Sequence, residues 1–242
     1  MGMRFSNSVT TISPYTEEIL IKRQNIDPEK IKVLPPAVDS KILHHQTELS
    51  HVNTLVPSGK VIFTASRLNS SDGYKGIDIV IKSLPVVLKK NPDTHYVIVG
   101  DGDDRPRLES LAKEQGVANN VHFAGLLPGD DQLGCYYAAC DIFVMPSLKE
   151  GFGIVFLEAM SYGKPVIGGN HGGTPDIVKD EVCGFLVEYG DSDILASRLL
   201  QLLRDPELCK RMGAQGRRMV EDTYTFGHFR KGLLELIYGS KA

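Results

Sequence analysis

No stretch of the 242 residues approaches the roughly 18 consecutive apolar residues of a membrane span, and the N-terminus lacks the charged-then-apolar pattern of a secretory signal. Peripheral membrane contact stays open, since it needs neither feature. An excess of charge of one sign is also missing. The 27 basic and 30 acidic residues leave a formal net charge of −3 and are mixed along the chain, which argues against a nucleic-acid groove. Any anion site must therefore be local. The four cysteines, Cys135, Cys140, Cys183 and Cys209, include no CxxC pair and have no histidine at zinc-finger spacing. Buried free thiols in a reducing cytoplasm are expected. Repeats and low-complexity segments are absent. A hydrophobic fraction of 42 % and a charged fraction of 24 % are ordinary for a soluble enzyme and sufficient for a packed core.

From residue 60 onward, short β-branched runs alternate with longer helical patterns. The strand candidates are Val61–Ser66, His95–Gly100, Val121–Ala124, Asp141–Pro146, Pro165–Gly168 and Phe185–Glu188. Between the first two, Ile77, Ile81, Leu84, Val87 and Leu88 recur at the spacing of a helix packed on one face. This alternation predicts an α/β fold, a doubly wound and mostly parallel sheet with helices on both faces. Glycine and proline fall where the strands end, at Gly100-Asp101-Gly102, Pro128-Gly129, Gly168-Gly169 and Gly172-Gly173. Loops at the carboxyl ends of such strands bind ligands because helix N-termini converge there.

Two or three helical stretches follow from about Ser192 to Ile237, with Pro206 dividing the first from the second. Before residue 60 the chain is less regular. Asn7–Ser13 and Ile31–Leu34 read as short strands, and Pro14–Gln24 as a helix with proline in its first turn. The polar stretch from about Ser40 to Ser58 reads as a connector, and its His44, His45 and His51 as surface residues.

The segment Glu150-Gly-Phe-Gly-Ile-Val-Phe-Leu-Glu158 carries the strongest chemical signal. Gly151 and Gly153 leave the backbone unhindered just before a helix starting near Gly153, so its unpaired N–H groups can approach an anion. Glu158 sits among Ile154, Val155, Phe156, Leu157, Ala159 and Met160, which predicts a buried carboxylate in need of donors. A ribose diol would supply two, whereas a salt bridge is the plain alternative. Arg67 and Lys75 flank the loop after the first main strand. Lys75 stands at a helix start, where its charge opposes the dipole, and an anionic ligand accounts for it better than helix stability does.

Taken together, Arg67, Lys75-Gly76, Gly100-Asp101-Gly102, Pro146-Ser147, Glu150-x7-Glu158, Gly163-Lys164-Pro165-Val166 and Gly172-Gly173-x-Pro175 resemble the C-terminal domain of retaining glycosyltransferases of family 4, with the GT-B fold. The resemblance runs in order over residues 60 to 235. Ser13-Pro14-Tyr15-Thr16 and Lys30-Ile31-Lys32-Val33-Leu34-Pro35 resemble the link into that domain.

The resemblance implies that Arg67 and Lys75 bind the diphosphate of a nucleoside-diphosphate sugar and that Glu158 binds its ribose. Glu150 and the backbone of Gly151, Phe152, Gly153 and Ile154 hold the sugar, with Val155 and Gly100 also touching the donor. Glu150, Arg67 and Lys75 form the catalytic set. The nucleotide sugar is the substrate, and no metal or cofactor is expected. Leu126 and Leu127, just past the third main strand, are candidate walls for the base, which needs apolar faces.

The implied organisation is a connector over residues 1–59, a nucleotide-sugar-binding domain over 60–224, and a C-terminal helix over 225–242 packing toward an N-terminal acceptor-binding domain. The chain has no room for that second domain, so it reads as a half-enzyme, cytoplasmic or at the cytoplasmic membrane face. The long Leu68–Tyr74 loop, Leu148-Lys149, Pro36-Ala37, and Asp176 where the family often has glutamate depart from the usual pattern. They leave the sugar and base open.

Rival readings are an epimerase or phosphorylase of the same fold and a non-catalytic nucleotide-binding or interaction module. A dehydrogenase is disfavoured because Val61–Ser66 leads into Arg67-Leu-Asn-Ser-Ser rather than GxGxxG. Asp101-Gly-Asp103 reads as a turn and Asp191-Ser-Asp193 as a helix cap, not as metal motifs. His171 reads as a solvent-exposed loop residue and His122 as structural.

Overall fold

The computed structural model of the protein describes residues 6–38 and 56–239. His44, His45, His51 and most of the expected connector lie outside the described residues. The first segment folds as a small parallel unit in which β1 (Val9–Thr11) and β2 (Ile31–Val33) flank α1 (Pro14–Gln24). Helix α1 begins where expected because Ser13 and Thr16 form a reciprocal capping box and Pro14 occupies the first turn. It ends at Asn25, whose left-handed backbone closes the last turn.

The main body runs β3 (Lys60–Ala65), α2 (Ile77–Leu88), β4 (Thr94–Val99), α3 (Arg105–Glu114), β5 (Val121–Gly125), α4 (Asp130–Ala139), β6 (Ile142–Met145), α5 (Ile154–Ser161), β7 (Val166–Gly169), α6 (Thr174–Ile177) and β8 (Gly184–Val187). Three helices close it: α7 (Ser192–Arg204), α8 (Pro206–Thr223) and α9 (Phe226–Tyr238). Each strand candidate is present, shifted by a residue or so at its ends.

The strands lie in the order β5-β4-β3-β6-β7-β8, and every neighbouring pair is parallel. This is the doubly wound order in which the chain works outward from β3 to one edge and then returns to β6 to build the other half. Alternate side chains feed two cores. Ile62, Ile98, Ile142, Val144 and Ile167 pack with α2, α3 and α7, while Phe63, Val97, Phe143, Met145 and Val166 pack with α4 and α5. Helix α8 contributes Leu208 and Met212 to the first core and Val220 to the second. Because both faces are covered, the strands read as nearly continuous apolar runs.

All four cysteines are free, with Cys140 and Cys183 buried and Cys135 and Cys209 partly so. Burial pushes the Cys140 thiol up to about 12, which keeps it protonated and inert. Helix α9 buries none of its residues and leaves Phe226, Leu233, Ile237 and Tyr238 exposed.

His122 lies within β5, and its Nε2 is 3.0 Å from Nδ1 of His95 on β4. Burial, reinforced by the charge His95 can carry, lowers the His122 pKa below the ordinary 6.5. The unfolded chain therefore takes up that proton first. This contribution to stability is complete above pH 6.5 and is lost as the pH falls through the folded-state value. Thermal melts of the protein and of His122→Gln across this range are expected to differ in slope, with the variant losing less stability on acidification.

Candidate functional site

The reversal of strand order between β3 and β6 opens a crevice at the carboxyl ends of these two strands, and the loops that follow them form its walls. The β3 loop is supported from below by the turn after β4. There Leu68 donates its N–H to Asp101 O at 3.0 Å and accepts from Asp104 N–H at 2.8 Å. Asp103 accepts from the Ser70 N–H at 2.7 Å and from its hydroxyl at 2.8 Å. The Ser70 bonds hold the Asp103 carboxyl below its usual range. The Asp101-Gly-Asp103 sequence is thus a loop brace, and Asp191 caps α7 through the Ile194 N–H.

Instead of an open loop, Ser70–Lys75 forms a 3-10 helix around Asp72, whose carboxylate accepts from Asn69 and from the Tyr74 hydroxyl. Gly76 follows with φ +77°, and a Cβ there would stand 2.6 Å from Pro146 O, so only glycine allows the β3 and β6 loops to meet. The Leu148 N–H, donated to Tyr74 O at 2.8 Å, ties the two together.

Across this junction Lys75 Nζ lies 2.6 Å from Glu150 Oε2, with both side chains 17 % exposed. Lys75, for which an anionic ligand was expected, already has a counter-charge within the chain, because the β6 loop delivers a carboxylate to it. Arg67 Nε is 3.4 Å from Asp72 Oδ2, but its side chain is 74 % exposed, so the guanidinium remains open to solvent. Arg67 and Lys75 line the same small cleft.

Helix α5 points its N-terminus out of the β6 loop. Gly153 caps it with φ +94°, and no side chain caps the first turn, so the N–H groups of Ile154 and Val155 have no intrahelical acceptor. Ile154 is exposed and Val155 half-buried, whereas Phe152 turns inward against the Tyr224 ring, with centroids 5.9 Å apart. Glu158, expected to be buried, is half-buried, and Tyr137 on α4 donates its hydroxyl to Oε2 at 2.7 Å. Burial and then the Glu158 charge push that phenol well above its ordinary pKa, which keeps it a donor.

Gly100 ends β4, donating to Gly125 O at 2.9 Å. Leu126, 77 % exposed, and the partly buried Leu127 follow β5 at the outer edge of the sheet. His171 is not the exposed residue expected. It is half-buried, 3.2 Å from a Glu188 carboxylate oxygen, and accepts the Tyr189 N–H, because its loop folds over the one after β8.

Asp72, Tyr137, Ser13 and Asp176 complete this region; sequence reasoning gave Tyr137 no part in it, placed Ser13 only in the link, and met Asp72 and Asp176 only as parts of departures from the family pattern. Asp72 sits in a stretch of turn residues, and Tyr137 lies on a helix with no spacing signal. The contacts of Ser13 and Asp176 span more than a hundred residues. Among the described residues, no group of three or more His, Cys, Asp or Glu could hold a metal ion, and no helix is long and apolar enough to cross a membrane.

A doubly wound sheet with cations, a carboxylate and an open helix N-terminus at its switch point is the arrangement by which open α/β domains bind ligands. The family described as glycosyl transferases group 1 matches residues 46–219, and the chain belongs to it. A GDP-mannose-dependent α-(1-6)-phosphatidylinositol monomannoside mannosyltransferase of Mycolicibacterium smegmatis is 35 % identical over 69 % of this chain and 45 % of its own length. The crystal structure of Anabaena HepE in complex with UDP and glucose superposes with a TM-score of 0.86 at 24 % identity, over 97 % of this chain and 64 % of that one. The C-terminal domain of a group 1 family protein, LpcC of Francisella tularensis, matches with a TM-score of 0.67 at 27 % identity, over 78 % of this chain and 99 % of that one. The fold is that of GT-B glycosyltransferases. The chain spans about half the length of the curated relatives it matches.

Removing the Tyr137 hydroxyl tests its hold on Glu158. Tyr137→Phe is expected to cost about 1–2 kcal/mol in urea denaturation, the range for a hydrogen bond to a half-solvated charged group. An unchanged midpoint would mean that solvent replaces the phenol.

Proposed function

We propose that this chain is the donor-binding half of a retaining, metal-independent glycosyltransferase that moves a sugar from a nucleoside diphosphate to an acceptor hydroxyl. The observation carrying this reading is the convergence of Lys75, Glu150 and the uncapped mouth of α5 at the sheet's switch point. In this reading Arg67 and Lys75 bind the diphosphate and Glu158 the ribose. Glu150 and the backbone of Gly151–Ile154 hold the sugar, Val155 and Gly100 complete the donor pocket, and Leu126 and Leu127 flank the base. An ammonium has three donors, so Lys75 can keep Glu150 and still engage a phosphate oxygen.

When the anomeric C–O bond breaks, its electron pair goes to the departing diphosphate. The two cations and the N–H groups of α5 stabilise that charge without reorganising. Residues 60–224 form the donor domain, residues 1–59 link it to an acceptor-binding domain, and the exposed apolar side of α9 packs toward that domain.

Calorimetry with UDP-, GDP- and ADP-sugars tests the reading, starting with GDP-mannose because several relatives are named as dependent on it. One of these donors is expected to bind, with affinity falling about tenfold or more in Arg67→Ala and in Lys75→Ala. Added Mg²⁺ is expected to leave the affinity unchanged. Binding of none would favour an interaction module instead, and chemistry on the sugar without transfer would favour an epimerase or phosphorylase.

A further inference from the structure

The loop assigned to the sugar has little to hold it in shape on its own. Gly151 and Gly153 give it wide backbone freedom, and no side chain caps the helix it leads into. Its conformation must be imposed from outside. Two segments remote in sequence close on it.

The Ser13 hydroxyl, fully buried, donates to Gly151 O at 2.7 Å. From the other side, the Gly173 N–H reaches Glu150 O at 2.6 Å. A Cβ on Gly172 would stand 2.5 Å from Glu150 O, and one on Gly173 would stand 2.4 Å from Gly151 O, so the two backbones are in direct contact. The outer segments are then joined to each other. Asp176, in the α6 turn just past Gly173, accepts the Tyr15 N–H at 3.0 Å. The link (residues 13–15), the sugar loop (150–151) and the glycine loop (173–176) thus form a closed ring of three hydrogen bonds.

Ser13 does more in this ring than cap a helix. Capping α1 requires only that its oxygen accept the Thr16 N–H, which it does at 3.1 Å. Donating its proton to Gly151 O fixes the plane of the Gly151–Phe152 peptide as well. In a trans peptide the Phe152 N–H then points to the opposite side. Asp176 reinforces the arrangement, because a carboxylate at the first turn of α1 is favoured by the helix dipole.

The geometry points to Ser13 and Asp176 as positioning residues: together they latch the link segment onto the sugar loop, so that the placement of the link sets how tightly the sugar of the donor is held. This inference rests on the donor-binding reading above and deepens it. A latch of this kind acts on the sugar. The nucleotide is gripped mainly by Arg67, Lys75 and Glu158, which lie outside the ring of three hydrogen bonds. Its signature is therefore the ratio of two affinities, that of a nucleotide sugar to that of the matching free nucleoside diphosphate.

The experiment measures GDP against GDP-mannose, and UDP against UDP-glucose, by calorimetry on the full chain and on Ser13→Ala, Asp176→Ala and Asp176→Asn. Both alanine variants are expected to lower the sugar-to-nucleotide affinity ratio about three- to tenfold, the effect of one lost neutral or singly charged hydrogen bond. Asp176→Asn keeps an acceptor for the Tyr15 N–H and is expected to restore the ratio. Melting curves identify any variant that fails to fold. Asp176 is only half-buried, so its alanine variant carries the test if Ser13→Ala unfolds.

If the nucleotides bind but the ratio is unchanged in the alanine variants, or both affinities fall equally, the latch is wrong and the donor reading stands. Should the unaltered chain bind neither these four compounds nor an ADP-sugar, the donor reading fails and the latch fails with it.

Discussion

The site depends on one topological fact, that β3 and β6 are neighbours although the chain leaves β3 in one direction and departs from β6 in the other. Two loops that would otherwise diverge begin side by side and face each other across a crevice. The Lys75–Glu150 contact closes that crevice at 2.6 Å with both groups mostly out of water. A pair in such a position is costly to break, because removing one partner leaves the other charged and poorly solvated. It joins the two halves of the sheet at the switch point in the strand order.

Backbone contact makes this closeness possible. Gly76 lies on Pro146, and Gly172 and Gly173 lie on Glu150 and Gly151, at separations no side chain could occupy. Each glycine removes a side chain that would have spaced the loops, and each loop loses the stiffness that side chain would have provided. Rigidity is restored by bonds from elsewhere. Asp103 holds the β3 loop from the turn after β4, Asp72 organises it from within, and Ser13 and Gly173 hold the β6 loop from two sides. The crevice end of the domain is therefore shaped largely by groups brought in from outside each loop, with Asp72 the exception, since it lines the cleft beside Arg67 and Lys75.

Much of the fold was legible because local and global signals agree. Helix α1 has matching cap, proline and terminal asparagine, and its bounds are those expected. The six main strands are apolar along both faces and bounded by glycine or proline, so their existence followed from composition and punctuation. Arg67, Lys75 and Glu150 stood out as charges at the ends of such strands. Glu158 stood out as a carboxylate in an apolar helix, although its partner and its half-buried state did not. The ion pair of Lys75 was missed for a related reason: at the sequence level a lysine at a helix start has no visible counter-charge, and Glu150 is 75 residues away.

The sequence by itself determined which segments become strands and helices, and which residues carry charge near their ends. Period, capping chemistry and glycine placement are local properties, written within a few residues of where they act. Only the tertiary structure decided who meets whom: Lys75 with Glu150, Tyr137 with Glu158, Ser13 with Gly151, Asp176 with Tyr15. These contacts follow from the strand order and from backbones close enough to touch. Both arise when distant parts of the chain bury apolar surface together, and no local spacing encodes them.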